Sequence, residues 1–221
     1  MFYLRKLPSF PEICRRLSIQ RDLRSAYFEI MTVRVFVGAG FAIDMRPEVG
    51  VRGEDFDFLA KRRGLEIAVE ATALKERPFS ANAIGNSLGN KRDQLPADIP
   101  GVFFCMIPMQ WPPLQDAQME EHIDAAVGRF LGGTERVNLV VVTQEQHIDG
   151  PQPGTGALMM AKRVVTSRRP RHSADLSFLI GQGSMTDAVE GVRRAGQAEF
   201  DAMVAKRRVG EFYDWVDYLV P

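Results

Sequence analysis

The chain has 221 residues, 45% hydrophobic and 25% charged, with 28 basic side chains balanced by 28 acidic ones. This is the composition of an ordinary globular protein of one generous domain, and zero net charge excludes a global field that gathers nucleic acid or acidic membranes, so any such binding uses a local patch. Cys14 and Cys105 lie in unlike contexts and set up no disulfide framework, and the three histidines, at 122, 147 and 172, lack metal-site spacing. The opening MFYLRKLPSFPE holds no apolar run of signal-peptide length, and no segment approaches a membrane span. The expectation is a protein of the reducing cytoplasm with no membrane partner.

In chain order, residues 1–10 read as an extended lead-in. From Pro11 to about Val37 the apolar positions Ile13, Leu17, Leu23, Tyr27, Ile30, Met31 and Val35 follow a helical rhythm. Pro11 suits a first helical turn. Gly38-Ala39-Gly40 follows a helix rather than opening one, so it reads as a C-cap and turn and not as a phosphate loop. Glu29 sits at the edge of the helix's apolar stripe. Phe41-Ala42-Ile43 predicts a first strand.

Gly53 to Ala73 is the most legible stretch. Asp55-Phe56-Asp57-Phe58-Leu59 alternates acidic and apolar residues. Leu65 to Thr72 alternates again, with Leu65, Ile67 and Val69 on one face and Glu66, Ala68, Glu70 and Thr72 on the other. Lys61-Arg62-Arg63-Gly64 is the turn of a hairpin. With Arg63 and Gly64 as the two loop residues, Asp57 faces Glu70; with Arg62 and Arg63, Asp55 does. Glycine at the second loop position favours the first register. Facing Cβ atoms in such a pair lie about 4.5–5.5 Å apart, and two carboxylates that close repel unless a cation lies between them. A hard ion such as Mg²⁺ is held in this way, by one or two carboxylates plus water and substrate phosphate. The plainer alternative is two solvated acids on an exposed strand.

A loop leads to a helix with Ser80 as its N-cap and a thin apolar stripe of Ile84, Leu88 and Leu95. Lys91 and Gln94, three apart, point to one side of it. Gly101–Ile107 is an unbroken apolar run, the mark of a strand buried on both faces. Residues 115–131 show a helical face closed by Gly132-Gly133, and Val137–Val142 is another buried strand. Strand, helix, strand with short joins predicts parallel neighbours and a right-handed crossover. The sheet is therefore mixed, antiparallel first and parallel after. Residues 150–156 form a loop, 157–166 a strand or helix, and 166–172 the one basic cluster, a solvated loop or a phosphate contact. Leu176–Ile180 reads as a strand, 184–208 as a long helix and 211–220 as a short terminal one.

Glu29 on a helix, Asp57 and Glu70-Ala71-Thr72 on a hairpin, Lys91 and Gln94 on the next helix and a buried strand after it form one ordered constellation. In order and spacing it resembles the restriction-endonuclease-like, or PD-(D/E)XK, nuclease superfamily, over roughly residues 20–145. The resemblance implies an α/β fold with a mixed β-sheet flanked by helices and a core at about 11–145; the C-terminal third, about 146–221, falls outside it and reads as a helical extension of the same single domain. It implies that Asp57 and Glu70 hold Mg²⁺ or Mn²⁺, and that Glu29 holds it directly or through water. The ion would act as Lewis acid on a phosphodiester and as the source of an activated water. The implied substrate is DNA, with RNA the alternative, and a homodimer suits the cutting of two strands.

The family's lysine stands two residues after the glutamate, where this chain has Thr72, which carries no positive charge to stabilise a developing oxyanion. Lys91, with Gln94 beside it, is the candidate to supply that charge from the following helix, as migrated lysines do in some relatives. Three readings follow: a metal-dependent nuclease, a catalytically degenerate nuclease-like module binding nucleic acid or a protein partner, and an unrelated α/β interaction protein whose acids are surface decoration. No G-x-S-x-G elbow, Walker loop or Cys–His motif points to another enzyme class.

Overall fold

The computed structural model describes residues 10–17, 23–46, 50–149 and 156–180. They form α1 (Phe10–Leu17), α2 (Leu23–Gly38), β1 (Ala42–Met45), β2 (Phe58–Arg62), β3 (Leu65–Ala73), α3 (Ala81–Lys91), a 3₁₀ turn (Arg92–Gln94), β4 (Gly101–Ile107), α4 (Ala117–Gly132), β5 (Val137–Asp149), β6 (Gly156–Thr166) and α5 (Ser177–Ile180). The six strands make one sheet in the order β1-β2-β3-β4-β5-β6. The pairs β1–β2 and β2–β3 are antiparallel, β3–β4 and β4–β5 parallel, and β5–β6 antiparallel again. The fold is α/β, a mixed sheet flanked by helices.

Successive strand residues point to opposite faces, which sorts the core. Phe103, Cys105 and Ile107 of β4 pack with Ala68 of β3, Val140 and Val142 of β5, Ile84 and Leu88 of α3, and Ile123 and Val127 of α4. Both crossover helices therefore cover one face. On the other, Phe36 of α2 meets Phe58 of β2 and Phe104 of β4 edge-on, with ring centroids 5.5 and 6.0 Å away. Between these layers β4 is buried along its whole length.

The glycine turn after α2 closes as expected. Gly40 takes φ +81°, its N–H donates to the Val37 carbonyl, and the Phe41 N–H donates to the Phe36 carbonyl. The Phe36 and Phe41 rings then touch, 5.5 Å between centroids. These are the bonds and the apolar contact of a Schellman cap. Arg62 stacks over Phe41 at 4.3 Å and donates to the Ala39 carbonyl, tying β2 to the end of α2.

Several local expectations change. The single helix over 11–37 is two helices; the apolar rhythm skips from Leu17 to Leu23, and residues 18–22 lie outside the described residues. Ser80 sits at the N-cap of α3 in an extended conformation, yet its side chain makes no capping bond. Gln94 belongs to the 3₁₀ turn and not to α3. Leu176–Ile180 gives the short helix α5 and not a strand, with the Asp175 carboxylate accepting from the Ser177 N–H. Residues 157–166 lie in β6, so the described part of the expected extension at 146–149 and 156–166 belongs to the sheet. The lead-in before Phe10 and the helices expected at 184–208 and 211–220 lie outside the described residues. Among the described residues no helix is long and apolar enough to cross a membrane.

Candidate functional site

The hairpin β2–β3 sets the site. Its ladder pairs Arg62 with Leu65 and Phe58 with Val69, so the loop residues are Arg63 and Gly64. Both have positive φ, +48° and +82°, the pattern of a type I′ turn whose twist matches that of the strands. One step beyond the last ladder pair, this register puts Asp57 opposite Glu70. The expected outgoing strand starts three residues late because its acids are used by side chain: Asp55 Oδ1 accepts from the Gly50 N–H at 2.8 Å, and Asp57 Oδ2 accepts from the Ala71 N–H at 2.7 Å. The Asp57 carboxylate thus continues the ladder where the main chain of β2 leaves it.

Glu70 lies on the third of six strands, beside Phe103 of β4 in the parallel register, and is 0% exposed. A carboxylate so placed loses its hydration, and burial is the first cause that raises its pKa, to about 8. The Asp57 charge raises it further and that of Glu29 adds a smaller increment, while Lys91 acts against both. Lys91, the last residue of α3, donates from Nζ to Glu70 Oε1. Glu70 Oε2 is buried with no hydrogen-bond partner.

The other expected residues divide. Glu29 is 3% exposed on α2, the helix on the opposite face of the sheet from α3, and it reaches Glu70 through its charge. Thr72 is nearly buried on the same strand face as Glu70, beside Cys105 of β4. Burial pushes the Cys105 thiol up to about 12, so it is no nucleophile. Gln94 makes no hydrogen bond to the carboxylates, and its Oε1 is buried without a partner. Sequence reasoning missed the amide of Ala71, which fixes Asp57; a main-chain donor leaves no mark in residue type.

An oxygen-only donor set suits a hard divalent ion. The partnerless Glu70 Oε2 and the mutual repulsion of the acids are both relieved by one, so the residues fit Mg²⁺ or Mn²⁺. Among the described residues, no three His, Cys, Asp or Glu side chains stand together in position to hold a metal. No protein-family model and no curated protein sequence matches the chain, so its reading rests on this geometry.

Proposed function

We propose that the chain is a metal-dependent nuclease on a restriction-endonuclease-like core, hydrolysing phosphodiester bonds in DNA. The observation that carries the reading is the contact between Lys91 and Glu70. It brings a lysine from α3 to the carboxylate pair, where Thr72 leaves the strand without one. Asp57 and Glu70 would hold Mg²⁺ or Mn²⁺, with Glu29 buried behind them. The ion supplies a Lewis acid for the phosphodiester and a water of lowered pKa.

The chain's own groups do the rest. The Ala71 N–H keeps Asp57 aimed at Glu70. Lys91 Nζ shares Glu70 in the free protein; it is the group that balances negative charge growing on a non-bridging phosphate oxygen. The apolar walls around Glu70, Phe103 among them, keep water from that carboxyl. Glu70 holds a proton near neutral pH and gives it up when a cation arrives, which ties metal binding to pH.

Thr72 favours a second reading, a degenerate module that keeps the fold and binds nucleic acid or a partner without cutting. Cleavage of plasmid and single-stranded DNA in Mn²⁺, Mg²⁺ or EDTA, by wild type beside Glu70→Ala and Lys91→Ala, separates the two. Metal-dependent cutting lost in both variants supports the nuclease. Cutting that survives Glu70→Ala refutes the proposed site, and no cutting by wild type favours the degenerate module.

A further inference from the structure

A polar recess lies among the described residues, and none of Glu29, Asp57, Glu70 or Lys91 lines it. Its volume is about 490 Å³, and four arginines from four separate stretches line it: Arg52 before β2, Arg92 in the 3₁₀ turn, Arg136 at the entry to β5 and Arg171 after β6. Two carboxylates share the recess. Asp93 bridges Arg52, at 2.8 Å, and Arg92, at 3.4 Å, and the bond from Arg52 leads the causes that hold Asp93 below the usual carboxylate range. Glu135 faces Arg171 at 3.4 Å. Four guanidinium groups against two carboxylates leave a surplus of two positive charges.

Arg136 donates to the Leu95 carbonyl at 3.1 Å, and a guanidinium carries more donors than any one of these bonds uses. Both α3 and α4 end near the recess, yet among the described residues none of the four arginine side chains donates to a C-terminal carbonyl of either helix. Those ends are closed by main chain: the Arg92 N–H donates to the Gly89 carbonyl and the Gly133 N–H to the Phe130 carbonyl. Convergent guanidinium groups with unused planar donors are the arrangement that recognises phosphate.

We propose that this recess is a phosphate-binding site, distinct from the carboxylate pair. Its volume lies within the roughly 300–1,000 Å³ of ligand clefts and exceeds the needs of a single inorganic phosphate. A second recess of about 310 Å³ between α3 and α4 adjoins it, sharing Arg92 and Gly133 and adding Asn82, Asn86 and Arg129. The ligand is therefore an extended molecule with its phosphate among the arginines, either a nucleic-acid strand or a free polyphosphate or nucleotide. The proposal does not rest on the nuclease reading, with which it shares no residue.

The test uses the full chain in EDTA, titrated calorimetrically with inorganic pyrophosphate and with a short single-stranded oligonucleotide carrying a 5′-phosphate. Arg52→Ala combined with Arg171→Ala removes two side chains that are at least half exposed, so the fold bears their loss. Pyrophosphate affinity falls about tenfold or more with the urea midpoint unchanged, and the two lysine replacements restore part of it. A parallel fall for the oligonucleotide assigns the site to a strand; a fall for pyrophosphate alone assigns it to a small phosphorylated molecule. On wild type, pyrophosphate also shields Arg52 and Arg171 from phenylglyoxal, read by mass spectrometry. If wild type binds neither probe, or the alanine pair binds as wild type does, the arginines serve only Asp93 and Glu135 and the proposal is overturned.

Discussion

Replacing Glu70 by glutamine removes a buried titratable carboxyl and keeps the shape, and its effect on stability depends on pH with a definite sign. The folded carboxyl titrates near pH 8, while its ordinary value is 4.5. Below about pH 4.5 the group is protonated in both folded and unfolded wild type, and the two proteins differ little. Between about pH 4.5 and 8 the unfolded wild type releases the proton and the folded one keeps it, so each pH unit shifts wild type tenfold toward unfolding. Above about pH 8 both forms are ionised and the loss is complete. The variant has no proton to release. Across the window it gains on wild type by several kcal/mol, on the order of the whole stability of a small domain. Urea unfolding of both proteins in EDTA from pH 4 to pH 9 measures the difference. Parallel pH profiles would refute the assignment of Glu70 as a carboxyl held protonated by burial and by Asp57.

Mn²⁺ binding at pH 7 releases about one proton and at pH 9 almost none; calorimetry in buffers of different ionisation heat counts it, and equal release at both pH values contradicts the role given to Glu70. Lys91→Met lowers the cleavage rate about 10²-fold or more with little change in metal affinity, read from single-turnover rates at saturating Mn²⁺. Gln144→Leu costs about 2–3 kcal/mol in urea unfolding, because Gln144 Oε1 accepts from the buried Leu114 N–H and its amide group serves the carbonyls of Pro108, Trp111 and Pro112. Gly101→Ala costs about 1–3 kcal/mol, since a Cβ there stands 2.6 Å from the Arg136 carbonyl oxygen and 2.9 Å from Leu95 Cδ1.

How much of this was legible follows from the range of each signal. The hairpin register was readable because alternation and a glycine at the second loop position act within a few residues, and the ladder follows that register. The apolar runs 101–107 and 137–142 announced strands buried on both faces, and the parallel pairing across α4 followed from the spacing. Boundaries were less legible. Asp55 and Asp57 look like strand residues by pattern, yet their side chains are taken by Gly50 and Ala71. Sequence order singled out Lys91, and α3 brings it into contact with Glu70; Gln94, expected beside it, falls in the 3₁₀ turn and makes no bond to the carboxylates. The arginine recess left almost no trace. Of the basic run at 166–172 only Arg171 lines it, and the other three arginines come from stretches that nothing local links.

The bond from the Ala71 amide to Asp57 separates what selection can discard. Asp57 closes the end of a strand pair whether or not the protein cuts anything, so a lineage that abandoned catalysis would still lose stability by losing it. Glu70 is the opposite case: buried beside Asp57, with Lys91 offsetting only part of that repulsion, it is carried at a cost for which the fold alone gives little reason. Among descendants of this chain an aspartate at the first position is therefore uninformative. A glutamate retained at the second marks a protein still under selection for what the pair does.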